Sequence, residues 1–453
     1  MAAAAVLENT AIILIRPRIP ENIGACCRAM MNMGLRRLVV VAPENFDRDR
    51  IYKTATHVAV AVADAIEVCD SLEAALPSFT YIAGTTARRG KQRQMVLPPE
   101  QLARKVVSLA ADNSMAIVFG PEDRGLENDE LRYCHNLITI PTATDQMLPH
   151  GIGLITLSQF SQDAASAFQS ALNRLKPYHP RAYILDMRNN PGGYVDQAVG
   201  IAQDIIPKGK VATLVGKNYP AQVYSSQSGK SLGVPLVVLV NGGTASAAEI
   251  LSAAIVQNHE GRLMGTQTFG KGIAQQVMPM QQGGYLKITI AQWMTPNGSN
   301  IEHKGITPTY IVTGTQAPLV AAQASLGGTP SMKATLKVGS LWLTADGQQD
   351  ALGHAPAMKG GQLYLSTTAV EQATGALVNY QTSAKTFEVV LGKDTLTLTV
   401  GQGQGSLDGR SVKLAPAEVM SGAPMIPVQD LVQAFRVKSQ SLGGGSYRLT
   451  TTY

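Results

Sequence analysis

A serine, a lysine and a glutamine stand in an order that can do acyl chemistry. Ser246 lies in Asn241-Gly-Gly-Thr-Ala-Ser-Ala-Ala-Glu-Ile250, Lys271 in Thr268-Phe-Gly-Lys-Gly272, and Gln275 follows four residues on. A serine hydroxyl is a weak nucleophile that needs a base, and no nearby histidine carries an aspartate partner in a triad pattern. Lysine can serve if burial lowers its pKa, and Ser-Lys pairs are a variant of the triad. Phe269 and Ile273 are expected to supply that apolar surrounding, and the Gln275 amide oxygen can orient the amine. Taken singly, Ser246 reads equally as a helix cap and Lys271 as a solvated surface lysine. Their pairing, together with the glycine-rich Leu185-Asp-Met-Arg-Asn-Asn-Pro-Gly-Gly193, points to catalysis.

Such residues need a strand-turn-helix frame. Residues 151–157 read as an alternating strand and 162–175 as a helix, while Ala182–Asp186 and Leu236–Val240 are apolar runs of the fully buried type. After the Asn241-Gly-Gly turn, residues 244–257 read as a helix with Ser246 in its first turn. There the free N–H groups and the helix dipole favour a developing anion.

Order and spacing of these motifs resemble the C-terminal processing (tail-specific) serine peptidases. The resemblance runs from about residue 151 to 312 and includes Met294-Thr-Pro-Asn-Gly298 and Gly305-Ile-Thr-Pro308. It implies a serine-type endopeptidase acting on protein or peptide substrates without a cofactor, with an α/β core (ClpP/crotonase-like) over residues 143–315. Carried over, Ser246 is the nucleophile, Lys271 the general base and Gln275 the orienter. The N–H of Ala247, with that of Gly192 or Gly193, makes the oxyanion hole. Thr309 stands where the family has Asp, and the PDZ domain expected ahead of the core gives way to an unrelated stretch.

That stretch, residues 1–142, alternates strand-like runs (11–16, 38–42, 81–84, 116–120, 136–141) with helical ones (24–33, 101–111), which predicts a parallel α/β sheet. Three loops follow strands, where open α/β sheets bind ligands. These are Pro20-Glu-Asn-Ile-Gly24 before a helix bearing Arg28, Gly84-Thr-Thr-Ala-Arg-Arg89, and Gly120-Pro-Glu-Asp-Arg-Gly125. Their order resembles the SpoU branch of the SPOUT (TrmH-type) methyltransferases, particularly those that 2′-O-methylate the tRNA anticodon loop. The resemblance implies a knotted dimer using S-adenosylmethionine, with Asn22 and Arg28 near the target ribose and Gly120, Glu122 and Gly125 bordering the cofactor. After Pro141 the family continues into a Ser/Asn-rich loop and a helix that threads the knot. Here Thr142-Ala-Thr-Asp-Gln-Met-Leu-Pro149 follows instead, so a truncated SPOUT-like domain is expected.

Residues 331–453 resemble the copper-amine-oxidase N-terminal-like repeat. They are expected to form a small α+β module for binding or spacing, and His354 alone offers no metal ligand cluster.

Composition bounds the rest. At 453 residues, 45% hydrophobic and 15% charged, the chain is globular with room for about three domains. A net charge of +6 suits a solvated surface better than a dedicated nucleic-acid groove. Residues 1–142 hold 13 Arg and 3 Lys, the remainder 7 Arg and 15 Lys, a shift that argues for a seam near Thr142. All four cysteines (26, 27, 69, 134) precede residue 135 without metal spacing and are expected to be reduced core thiols. No apolar run reaches membrane-spanning length and no signal-type start appears, so a cytoplasmic protein is expected. The fold expectation is an α/β multidomain chain. The functional one is a Ser-Lys-Gln endopeptidase fused to a SpoU-like segment. The alternatives are tRNA 2′-O-methylation and an inactive hybrid that only binds.

Overall fold

A computed structural model describes residues 6–86, 96–97, 99–109, 113–122, 124–139, 142–217, 219–279 and 285–453. The chain forms two compact units, Met1–Pro141 and Thr142–Tyr453. No helix among the described residues is long and apolar enough to cross a membrane.

Among the described residues the first unit is built on seven strands: β1 (Thr10–Ile15), β2 (Arg37–Val41), β3 (Glu67–Cys69), β4 (Tyr81–Thr85), β5 (Val96–Leu97), β6 (Met115–Phe119) and β7 (Asn136–Ile138). They pair in the order β3-β2-β1-β6-β4-β7-β5, every pair parallel. The Val/Ile/Leu runs of the inner strands β1, β2, β4 and β6 are largely buried on both faces, as an all-parallel sheet requires, while the edge strand β3 is exposed. The end of the predicted strand 136–141 falls outside the described residues.

Helix α1 (Pro20–Asn32) starts earlier than the predicted 24–33. Pro20 occupies its first turn, where a missing N–H costs nothing, so Glu21-Asn-Ile-Gly24 is helical rather than a loop. Gly24 is needed for a helix crossing. A Cβ there would lie 2.0 Å from the Ile51 carbonyl oxygen on α2 (Arg48–Ala55). The four cysteines are free, and burial pushes the Cys26 thiol up to about 11 and that of Cys27 to about 12.

The second unit opens with β8 (Ala143–Leu148), antiparallel to β9 (Ile152–Leu157). Next come α3 (Ala164–Leu175), β10 (Ala182–Asp186), α4 (Val195–Ile205), β11 (Gly209–Gly216), β12 (Tyr219–Ser226), β13 (Leu236–Val240), α5 (Ala247–Gln257) and β14 (Arg262–Gly265). β15 (Ile273–Pro279), β16 (Tyr285–Met294), β17 (Tyr310–Ile311) and α6 (Ala317–Ser325) follow. The central sheet runs β17-β14-β13-β10-β9-β8, parallel except for β8, and a small antiparallel sheet β12-β11-β16-β15 carries the strand that holds Gln275. Residues 151–157 were expected to alternate. β9 is instead buried on both faces, because each face of the sheet is covered.

On one face, Ile155, Leu157 and Val238 pack with Phe168 of α3, Ile201 of α4 and Leu251 of α5. On the other, Ile152, Leu154, Ile184 and Leu239 share one continuous core with Val320 of α6 and with Leu336, Leu365, Val370, Phe387 and Leu449. Residues 331–453 therefore close the second face of the sheet. They form β18 (Ser331–Lys337), β19 (Trp342–Ala345) and β20 (Gln348–Ala351), paired with two C-terminal strands, plus a four-stranded sheet, a second five-stranded sheet, the helix α7 (Thr367–Thr374) and a short helix at Val428–Ala434.

Helix α7 presents a buried acid, Glu371, only 4% exposed, whose carboxylate accepts from the N–H (3.3 Å) and Oγ1 (2.7 Å) of Thr313. Burial pushes its pKa from 4.5 to about 7, against those two hydrogen bonds. For an acid raised on folding, the contribution to stability is full below the unfolded value and is lost as pH rises through the folded one. Between pH 4.5 and 7 the loss is about 3 kcal/mol at most. Glu371→Gln should thus gain on the wild type steadily over that window in urea titrations. A difference that stays constant with pH would show that the carboxyl does not titrate there.

Candidate active site

Strand β13 ends at Val240 beneath the turn that leads into α5. Thr244 locks this turn: its Oγ1 accepts from the Asn241 N–H (2.9 Å) and donates to the Met187 carbonyl (2.8 Å) beyond β10. Ser246 is the N-cap of α5, one residue ahead of the helix rather than inside it, at φ 57 and ψ −120. A non-glycine residue held there costs of order 1–3 kcal/mol, and such strain clusters at functional sites. Residues 247–255 of α5 are buried throughout, so the helix holds the serine rigidly.

Glu249 was not singled out by the sequence reading. It is fully buried, and its carboxylate takes four hydrogen bonds. Oε2 accepts from the backbone N–H of Ser246 (2.9 Å) and of Lys271 (2.8 Å). Oε1 accepts from the Gly270 N–H (2.7 Å) and from Thr268 Oγ1 (2.5 Å). One buried acid thus joins the serine turn to the lysine loop across 22 residues of sequence. The signal was available in the Ser-x-x-Glu spacing of a capping box, with the acid on an otherwise apolar helix.

The loop after β10 is the second wall. Asn190 is fully buried. Its Nδ2 donates to the Leu157 carbonyl (2.8 Å), its Oδ1 accepts from the Gly192 N–H (2.9 Å), and its carbonyl accepts from the Ala245 N–H (2.9 Å). Gly192 sits at φ +89, and a Cβ there would stand 2.8 Å from Ser246 Cβ. This glycine is therefore required for the loop to approach the serine. Its own N–H is engaged, whereas those of Gly193 and Ala247 have no acceptor among the described residues.

The lysine's surroundings differ from expectation. Lys271 is half-buried, but Phe269 is 64% exposed and turns to solvent. The loop backbone dictates this, because the Phe269 N–H donates to the Thr244 carbonyl (2.9 Å) while the next two N–H groups point to Glu249. Gln275 lies on β15 beside a register irregularity and is exposed. Among the described residues, Ser246 Oγ, Lys271 Nζ and the Gln275 amide make no hydrogen bond to one another. The structure brings together the backbones that carry the serine and the lysine. Thr309 Oγ1 accepts from the Leu263 N–H (3.3 Å), a contact that fixes the strand edge.

In the first unit, the ends of β1, β6 and β4 lie side by side. The Glu122 carboxylate accepts from Asn22 Nδ2 (2.9 Å) and the Arg18 N–H (3.1 Å). Burial raises the Glu122 carboxyl, but these and neighbouring hydrogen bonds outweigh it and hold the group below its usual value. Arg28 is exposed on α1. Gly120 serves its own loop, since a Cβ there would lie 2.2 Å from the Gly125 carbonyl carbon, whereas Gly125 (φ +68) faces open space. Arg88 and Arg89 lie outside the described residues.

Comparisons with known proteins divide the chain in three. The SpoU rRNA methylase family model matches residues 9–147, that of peptidase family S41 residues 151–312, and that of the copper amine oxidase N-terminal domain residues 333–443. The carboxy-terminal processing protease CtpA of Bacillus subtilis is 37% identical over 185 residues, 41% of this chain and 40% of that protein. The carboxyl-terminal-processing protease of Synechocystis is 36% identical over 170 residues, 38% and 39% of the two chains. This chain therefore spans about two fifths of the curated relatives it matches. Among solved structures, a photosystem II D1 C-terminal processing protease is 29% identical with a TM-score of 0.38, covering 42% of this chain and 53% of its own. A probable methylase family protein from Haemophilus influenzae is 36% identical with a TM-score of 0.28, covering 30% and 56%. The chain is an α/β multidomain protein that joins a SpoU-like segment, a segment of the S41 peptidase type and a copper-amine-oxidase N-terminal-like segment.

Proposed function

We propose that residues 143–315 act as a serine endopeptidase on protein or peptide chains. Ser246 is the nucleophile, Lys271 the general base and Gln275 the residue that orients the amine once substrate is bound. The observation that carries the reading is the strained Ser246 turn, tied through buried Glu249 to the loop bearing Lys271.

Ser246 Oγ attacks the scissile carbonyl as its proton passes to the Lys271 amine. The carbonyl oxygen takes up the negative charge beside the Ala247 and Gly193 N–H groups, which have no acceptor among the described residues. Preorganised donors of this kind are worth about 3–4 kcal/mol each in an acyl-transfer transition state. The C–N bond breaks, Lys271 returns the proton to the leaving amine, and water repeats the sequence on the ester to release the acid and restore Ser246. An arylsulfonyl or phosphonyl fluoride should modify Ser246 alone, located by peptide mass mapping, and the Lys271→Ala protein should stay unlabelled. Equal labelling of both proteins would remove lysine from the mechanism.

The methyltransferase reading is second. Where the family resemblance calls for the loop and helix that close the cofactor pocket, residues 143–148 form β8 and pair with β9. Asn22 and Glu122 are hydrogen bonded to each other. The residues present thus do not complete a site for S-adenosylmethionine. Calorimetry on the full chain should register no saturable S-adenosylmethionine binding in the micromolar range. Micromolar binding together with methylation of tRNA would promote this reading above the first.

A further inference from the structure

We propose that residues 331–453 brace the oxyanion loop of the peptidase site, through hydrogen bonds running from Asp350 to Thr315 to Arg188, and that Arg188 is a positioning residue. This rests on the peptidase reading above. Arg188 stands at the root of the Asn189-Asn-Pro-Gly-Gly193 loop. Its guanidinium grips Asp186, the last residue of β10, in a fork: Nε to Oδ1 at 2.9 Å and Nη2 to Oδ2 at 2.7 Å. The Asp186 Oδ1 also accepts the Arg188 N–H at 3.1 Å. The remaining arm, Nη1, donates to the carbonyl of Thr315. That planar fork fixes the direction of the third bond as well, which a lysine could not do.

Thr315 is itself held from the far side. Its N–H (3.0 Å) and Oγ1 (2.7 Å) both donate to the carboxylate of Asp350 on β20, which is 8% exposed. Two residues earlier, Thr313 is held by Glu371 of α7 in the same manner. Between them Gly314 adopts φ +94, and a Cβ there would come within 2.8 Å of Gln372 Cγ and 3.1 Å of Asp350 Oδ2. The segment that leaves the central sheet after β17 is therefore clasped by two buried acids of the C-terminal segment, with no slack between them. Its carbonyl then anchors the arginine on which the glycine loop is hung.

Stability of residues 331–453 alone would need only their shared apolar core. The polar chain reaches further, to a loop whose donors must stay in place to within a fraction of an ångström, since misplacement by about 1 Å can cost a hundredfold in rate.

The test uses Asp350→Asn and Gly314→Ala in the full chain, neither of which touches residues 186–193. Turnover of a fluorogenic peptide should show kcat down about tenfold with KM within about twofold. Amide hydrogen exchange at Asn189, Asn190, Gly192 and Gly193 should accelerate in parallel. Arg188→Lys should behave likewise. Phe387→Leu, buried in the C-terminal segment, should lower the melting temperature yet keep kcat at a temperature where it stays folded, which separates bracing from general destabilisation. Wild-type kcat and wild-type exchange in both Asp350→Asn and Gly314→Ala would overturn the brace, as would an equal loss of kcat in folded Phe387→Leu. A wild-type chain that neither cleaves peptide nor is labelled at Ser246 would sink the peptidase reading instead, and the exchange data alone would then decide the brace.

Discussion

Ser246→Ala is expected to remove cleavage of an unfolded protein to within background, a loss of roughly 10⁴–10⁶ in kcat, and Lys271→Ala to remove as much. In the proposed mechanism the two groups share one proton transfer, so neither should retain partial function without the other. The double variant should be no slower than either single one, because groups that work as a unit are grossly non-additive. Substrate affinity should change little, since neither side chain is required to bind the extended peptide. The measurement is kcat and KM on one fluorogenic substrate for all four proteins, with circular dichroism to confirm that each is folded. A single variant with full turnover, or a double variant far slower than both singles, would break the Ser-Lys assignment. Lys271→Arg is a useful companion. Its guanidinium cannot give up its proton near neutral pH, so it cannot accept one from serine and should be as slow as the alanine variant.

Much of the frame is legible in the sequence because it is written in apolar runs. Ala182–Asp186 and Leu236–Val240 are observed on the bounds read from their Val/Leu/Ile content, and β1, β2, β4 and β6 fall within a residue of expectation, whereas β7 is observed only to Ile138 and the short edge strands β3 and β5 carry too little apolar pattern to be read. What the sequence does not encode locally is what lies across from a given face. β9 reads as alternating, yet Ile152 and Leu154 are covered by a core made with residues more than 180 positions downstream. No periodicity in residues 151–157 could announce that partner. Backbone sign is a second blind spot. A helix from Thr244 is a fair reading of residue types, but the positive φ of Ser246 delays its start to Ala247, and only glycines advertise such conformations. Side-chain direction in loops is a third. Phe269 was expected to bury itself beside Lys271, and hydrogen bonds from three successive backbone N–H groups turn it outward instead. In the first unit Gly24 and Gly120 each meet a close approach within the protein itself, to the Ile51 carbonyl and to Gly125, which residue type alone does not announce.

Glu249 should be the most sensitive position outside the reacting groups. Its carboxylate is fully buried and receives three backbone N–H groups and one hydroxyl, from both segments that meet at the site. Glutamine has the same shape but only one acceptor oxygen, so in Glu249→Gln an NH₂ must face two of those donors. Leaving two buried donors unpaired costs about 2–4 kcal/mol, and a fall in Tm of about 5 °C is expected for a unit of this size. The larger effect is on rate. With Oε2 no longer holding the Ser246 and Lys271 N–H groups at one point, nucleophile and base drift apart, and a displacement of about 1 Å is enough for a hundredfold fall in kcat. KM should stay within a few fold, because the substrate does not touch this buried side chain. Glu249→Asp keeps the charge and loses one methylene of reach, so it can satisfy one loop or the other but not both, and it should fall between wild type and glutamine in both Tm and kcat. Labelling of Ser246 by a phosphonyl fluoride should slow in the same order, a readout that depends on the alignment of serine and lysine and not on product release. If Glu249→Gln is folded, labels at the wild-type rate and turns over normally, then the carboxylate is only a cap for α5, and the serine and lysine must be held in register by other contacts.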